Sequence, residues 1–289
     1  MPTEIRLAPW LLLASLTATC EATKDLFAKR SLQQLSATRL AALLSLLTTL
    51  LLLPIVLWQG IPAIGPNFWW SCLLGSSLNL VAFWLYARAL QMGELSLVAP
   101  IVNLTPLFLL LTSPLIVAEH LAWQGSAGVI LLVIGAYQLN RRDRDSSSRL
   151  QPLIDLWQQP AQRIMVVVAF LWSITSNLDK IGVQSSDPYF WLLCLFGSTG
   201  IVLLILGRGL GPVRKYPWRS LSAMAIFNSV GVVAQMVALN QATVVQIISV
   251  KRLSTLIGVV YGAVFFGEKQ LRQRFLGAAL MMAGAIVLL

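Results

Sequence analysis

Apolar residues fall along this chain in runs of about twenty, separated by short polar gaps. Runs near 8–28, 37–58, 68–90, 95–118 and 122–140 precede a polar stretch, and runs near 163–183, 188–207, 218–241, 243–266 and 270–289 follow it. A helix of that length rises about 1.5 Å per residue and crosses a hydrocarbon core of about 30 Å. Lipid offers no partner to backbone N–H and C=O groups, so only helices or closed barrels can span it, and these runs are too long and too uniformly apolar for barrel strands. The pattern predicts an all-α membrane protein with ten transmembrane helices, five on each side of the polar stretch.

The two sets of five are copies. Phe68–Leu139 aligns without a gap with Pro217–Leu288 at a constant offset of 149. The alignment pairs Trp69 with Trp218, Asn79 with Asn228, Glu119 with Glu268, Gly128 with Gly277 and Gly135 with Gly284. Because five is odd, the second copy must enter the membrane facing opposite to the first, which makes the repeats inverted about an axis in the membrane plane. The expected organisation is a first repeat over 1–140, a polar linker over 141–162 containing RRDRDSSSR, and a second repeat over 163–289. Inverted repeats of this kind are a signature of transporters.

Composition closes off the alternatives. With 57% hydrophobic and 11% charged residues, the chain cannot hide its apolar surface inside a water-soluble globule. A net charge of +10 would suggest nucleic acid if the basic residues lined a soluble domain, but they sit in the gaps between apolar runs and read as topology signals. Loops after the odd-numbered helices hold most of them, including Lys29, Arg30, Arg88, Arg141, Arg142, Arg214 and Lys269, against Arg6 and Lys180 on the other face. The bias puts the odd loops in the cytoplasm and both termini outside, and the expected home is a bacterial inner membrane. Cys20, Cys72 and Cys194 are far apart and lack C-x-x-C spacing, and His120 is the only histidine, so neither a disulfide framework nor a metal site is expected. No Walker A, G-x-S-x-G or H-E-x-x-H pattern occurs, which argues against ATP as the energy source, against an enzyme and against a cofactor.

Several phrases resemble the drug/metabolite transporter superfamily, specifically its EamA-like ten-helix members. They are LSATRLAALLSL around Arg39, YARALQMGELSLVAPIVNLTPLFLLL from Tyr86, AEHLAWQGSAGVILLVIGAY from Ala118, VALNQATVVQIISVKRLSTLIGVVYGAVFFGEKQ, and the closing RFLGAALMMAGAIVLL. The resemblance covers nearly the whole chain. It implies a carrier with a central cavity between the halves that moves small metabolites by alternating access, and it names no cargo. Many relatives are thought to keep their termini in the cytoplasm, the reverse of the orientation that the charges favour here.

Chemistry is expected where polar groups enter apolar helices. Lys251 and Arg252 lie within the ninth run, where a charge costs about 2.5–3.5 kcal/mol on insertion scales, while their equivalents in the first repeat are Val102 and Asn103. Either they line the cavity and bind an anionic carboxylate or phosphate, or they pair elsewhere and snorkel. Asn79, Asn228, Tyr86, Gln235 and Asn103 are further substrate-binding candidates, with hydrogen bonding between helices as the rival role for the matched asparagines. CEATKD and SNLDKIG put Lys24 opposite Lys180 in the repeat, beside Asp25 and Asp179, as candidate gating or coupling groups or as interface residues. Glu119 and Glu268 end the fourth and ninth runs and are expected to act structurally, by stabilising the start of a helix. Glycines at 128, 135, 277 and 284 predict close packing of the fifth and tenth helices, and Pro100, Pro106 and Pro114 predict a break or bend in the fourth. The expected partners are a small-molecule substrate and the bilayer, and a homodimer is compatible with the sequence.

Overall fold

The computed structural model describes residues 9–92, 99–140, 159–206, 216–266 and 271–288. Glu268 and most of the 141–162 linker lie outside them. The first repeat contributes α1 (Pro9–Ser31), α2 (Ala37–Gln59), α3 (Phe68–Met92), a 3-10 segment (Ala99–Leu104) that runs into α4 (Thr105–Ile116), and α5 (Trp123–Asn140). The second contributes α6 (Pro160–Gln184), α7 (Pro188–Leu206), α8 (Trp218–Leu239), α9 (Val244–Lys251), α10 (Ser254–Phe266) and α11 (Leu271–Val287). No strand occurs among the described residues. Five of these helices are long and apolar enough to cross a membrane unbroken, and the ninth run divides into α9 and α10.

Local sequence sets the ends. Ser36 precedes α2 and its hydroxyl accepts from the Arg39 amide, whereas Gly60, at φ +82°, ends the helix in a conformation that other residues adopt only with strain. Pro160 opens α6, where a missing N–H leaves nothing unpaired. Inside the helices, Thr17, Thr49 and Ser77 turn their hydroxyls back to carbonyls four residues earlier, satisfying donors that lipid would leave bare.

The principal packing pairs each join one repeat to the other, and they come in symmetric sets: α1 with α8 and α3 with α6, α2 with α7, α5 with α11. Contacts within each pair run in opposite directions. A Cβ added at Gly128 would lie 2.9 Å from the Gly284 carbonyl oxygen, and one at Gly135 would lie 2.8 Å from that of Gly277. Under the repeat, Gly128 becomes Gly277 and Gly135 becomes Gly284, so each of these contacts is the image of the other and the axis passes through this seam. Gly197 and Gly200 of α7 lie against Thr49 and Leu46 of α2 in the same antiparallel sense. On α3 and α6, Gly75 meets Leu178 while Tyr86 meets Trp172 at 5.4 Å between ring centres. Antiparallel pairing of the equivalent helices α2 with α7 and α5 with α11 is what inverted repeats require.

The outer surface carries exposed Leu57, Leu73, Leu115, Ile205 and Val264, a distribution suited to lipid and not to water. Loops and helix ends are tied together on the face that holds the starts of α1, α3, α5, α7 and α9. Gly65 donates to the Ser185 carbonyl at 2.7 Å, and Gln246 donates to that of Leu288 at 3.3 Å.

Candidate binding site at the two helix breaks

Two interrupted helices meet inside the bundle. In the first repeat the 3-10 segment gives way to α4 between Leu104 and Thr105, and in the second α9 gives way to α10 across Arg252 and Leu253. The offset of 149 carries Leu104 and Thr105 onto Leu253 and Ser254, so the interruption falls at one place in both copies. Prolines explain the first, since Pro100 and Pro106 lack the N–H a continuous helix needs. The second has no proline. Its backbone tightens instead to three-residue hydrogen bonds, Leu253 to Val250 and Thr255 to Arg252, a spacing that marks a hinge when it falls inside a helix. The sequence pattern predicted one unbroken ninth helix, and the structure corrects this to two pieces. A run of apolar residues registers length and polarity but not hydrogen-bond spacing.

Around the second break the charged groups converge. Glu21 stands at the middle of α1, with Oε1 2.7 Å from the Lys24 ammonium and Oε2 3.7 Å from that of Lys251. Asp25 approaches Lys24 at 3.5 Å. Lys251 donates to Gln235 Oε1 of α8 at 3.0 Å. Arg252 donates from Nη2 to Thr105 Oγ1 at 3.0 Å, and that hydroxyl donates in turn to the Val102 carbonyl. Arg252 Nε is buried without a hydrogen-bond partner. Asn103 accepts from Thr255 at 3.2 Å, closing the two breaks on each other. Tyr86 of α3 lies within electrostatic reach of the same set. Lys24 and Lys251 thus share Glu21, Arg252 stands beside them on a hydroxyl, and the side chains of Glu21, Lys24 and Lys251 keep 15–22% of their surface exposed.

The remaining candidates stand outside this set, although Asp179 is within electrostatic reach of Lys251. Asn228 donates to Thr48 of α2 at 3.0 Å, in the α2–α8 contact and about 10 Å along its helix from Gln235. Asn79 is separated from Tyr86 by a similar rise along α3. Asp179 is buried and accepts from Trp191 Nε1 of α7 at 3.0 Å. Lys180 forms an ion pair with Glu119 and donates to the Ala242 carbonyl at 2.9 Å. The structural match of Lys24 to Lys180 fails: Lys24 lies seven residues from the end of its helix and Lys180 four, so similar phrases reach different depths. Glu119 does stabilise a helix start, but that of α9 in the other repeat, through the Val244 amide at 2.8 Å. Beside this lock, a cavity of about 110 Å³ is lined by Leu109, Glu119, His120 and Val245, at the start of α9, whereas Lys251 stands at its end. Glu21 was not singled out in the sequence, although an acidic and a basic residue three apart in an apolar helix would have signalled a buried pair.

A family model described as the EamA-like transporter family matches residues 8–141 and 161–289, one match per repeat. The chain belongs to this family, in keeping with the drug/metabolite transporter superfamily, and is a membrane transporter of small molecules. A solved structure titled only "Crystal structure of protein" superposes over 96% of this chain and 95% of its own, with a TM-score of 0.76 at 16% identity, a likeness of fold. No curated protein matches the sequence.

Proposed function

We propose that this protein is a secondary transporter of a small organic anion, which binds between the two helix breaks and crosses by alternating access. The observation that carries the reading is Arg252. Its guanidinium sits within the bundle with one hydroxyl partner and a buried, unpartnered Nε. A fork of donors short of acceptors suits a carboxylate or phosphate, which it can take in two parallel hydrogen bonds. Lys251, Gln235, Asn103 and Tyr86 complete the pocket in this account. Lys24 and Asp25 couple it to the movement of α1, and the Lys180–Glu119 lock closes the face nearest the termini. That face is the external one if the basic loops lie in the cytoplasm of a bacterial cell.

A second reading has support from Asp25, whose carboxylate is 66% exposed. An amino acid could place its carboxylate on Arg252 and its ammonium near Asp25, and a purely cationic drug would use the acidic groups alone. Thermal stabilisation of the purified protein by anionic, zwitterionic and cationic metabolites separates the three, because only ligands of the native state raise its melting temperature. Arg252→Gln should abolish both stabilisation by anions and uptake into proteoliposomes, by about 100-fold or more, without loss of folding. Undiminished uptake by the folded variant would remove Arg252 from the site.

A further inference from the structure

Resting on the anion reading, we infer that Glu21 is the resident counter-ion of the site. In the unloaded carrier its carboxylate stands where the anionic group of the substrate binds, and the substrate displaces it from Lys251.

The two contacts of Glu21 differ in kind. The one to Lys24, at 2.7 Å, is a hydrogen-bonded ion pair within α1, whereas the one to Lys251, at 3.7 Å, crosses to α9 and is too long for a hydrogen bond. An incoming carboxylate or phosphate oxygen at hydrogen-bond distance would bind Lys251 more closely than Glu21 does. Lys251 is held independently by Gln235, so its ammonium keeps its place when Glu21 turns away. Asp25 remains beside Lys24 as Glu21 moves.

Charge shows why such a group is needed. With Glu21, the cations Lys24, Lys251 and Arg252 are matched in number by Glu21, Asp25 and the more distant Asp179; without it they would exceed the carboxylates by one, in a setting of low dielectric where uncompensated charge is costly. Glu21 therefore lets the empty site exist, and it competes with the ligand for the same ammonium. The ligand class is a carboxylate or a phosphate monoester, recognised by Arg252 and Lys251 together.

Inorganic phosphate serves as the probe. Thermal stabilisation of the purified full-length protein is titrated with phosphate at constant ionic strength for the wild type, Glu21→Gln and Arg252→Gln. Removing a competing carboxylate at this distance is expected to lower the apparent Kd of Glu21→Gln at least about ten-fold. Equal or weaker affinity in the folded variant overturns the inference. Should Glu21→Gln fail to fold, Lys24→Gln is compared with the double variant Glu21→Gln/Lys24→Gln, in which the loss of Glu21 does not strand the Lys24 ammonium; the double variant should bind more tightly, and equal or weaker binding overturns the inference. Phosphate that stabilises the wild type but not Arg252→Gln upholds the anion reading whatever Glu21 does. Phosphate that stabilises none of the variants overturns both.

Discussion

Along the α5–α11 seam the repeats contribute like for like, Gly128 and Gly135 against Gly284 and Gly277, whereas at the helix breaks Val102 and Asn103 of one repeat correspond to Lys251 and Arg252 of the other. Position in the repeat is shared at both places; chemistry is shared only at the first. A contact lying on a two-fold axis uses each residue twice, so both copies answer to one steric demand. The breaks flank the axis, and a ligand bound between them, as proposed, would have no such symmetry. Each copy can then take a different part, the first supplying Thr105 and Asn103 as neutral partners and the second supplying the charge.

The comparison can be broken most forcefully at the seam. A Cβ on Gly284 would lie 2.6 Å from the Leu132 amide nitrogen, so Gly284→Leu must push two backbones apart. We expect a loss of more than about 3 kcal/mol, and as much from Gly135→Leu, measured as a fall in melting temperature or failure to purify as a monodisperse species. Unequal losses would show that the seam is less symmetric than its contacts indicate. Next is Glu119→Gln, which leaves Lys180 facing a neutral amide in a pair whose side chains are 12% and 14% exposed. About 3 kcal/mol should be lost in thermal denaturation, and Gln at this position should still accept from Val244.

At the breaks themselves, Asn103→Ala removes the hydrogen bond from Thr255 and should lower stability by about 0.6 kcal/mol. Ligand stabilisation should fall far less than in Arg252→Gln. If the two variants lose binding equally, the first repeat shares the chemistry after all. Smallest is Gly258→Ala on α10, where an added Cβ meets nothing within 4 Å. Its stability should stay unchanged or rise slightly, by about 0.5 kcal/mol, read as a small rise in melting temperature, because alanine favours helix over glycine.

Much of this architecture could be read from the chain. Long apolar runs, their repetition and the odd count specify ten spans in inverted halves, and the antiparallel glycine contacts agree. The glycine seam and the proline break in the fourth helix were visible because both are marked by residue type. The break in the ninth helix was not, since no proline or glycine stands there, and the tightening at Leu253 is a matter of how its backbone packs. Lys251 and Arg252 stood out as costly charges, but Thr105 and Gln235 could not be named as their partners from neighbours in sequence.

What the sequence determined alone, then, is everything that follows from moving groups between water and lipid: the spans, the doubling, the inversion and the positions too polar to be idle. Tertiary structure decided which of those polar groups meet. It brought Glu21 of α1 to Lys251 of α9, sent Glu119 across to the start of a helix in the other repeat, and set Asn228 against Thr48 in place of the charged group. Hydrophobicity is non-directional and acts on each residue by itself, so it can be summed along a chain; hydrogen bonds and ion pairs depend on distances that exist only once helices from both repeats have packed.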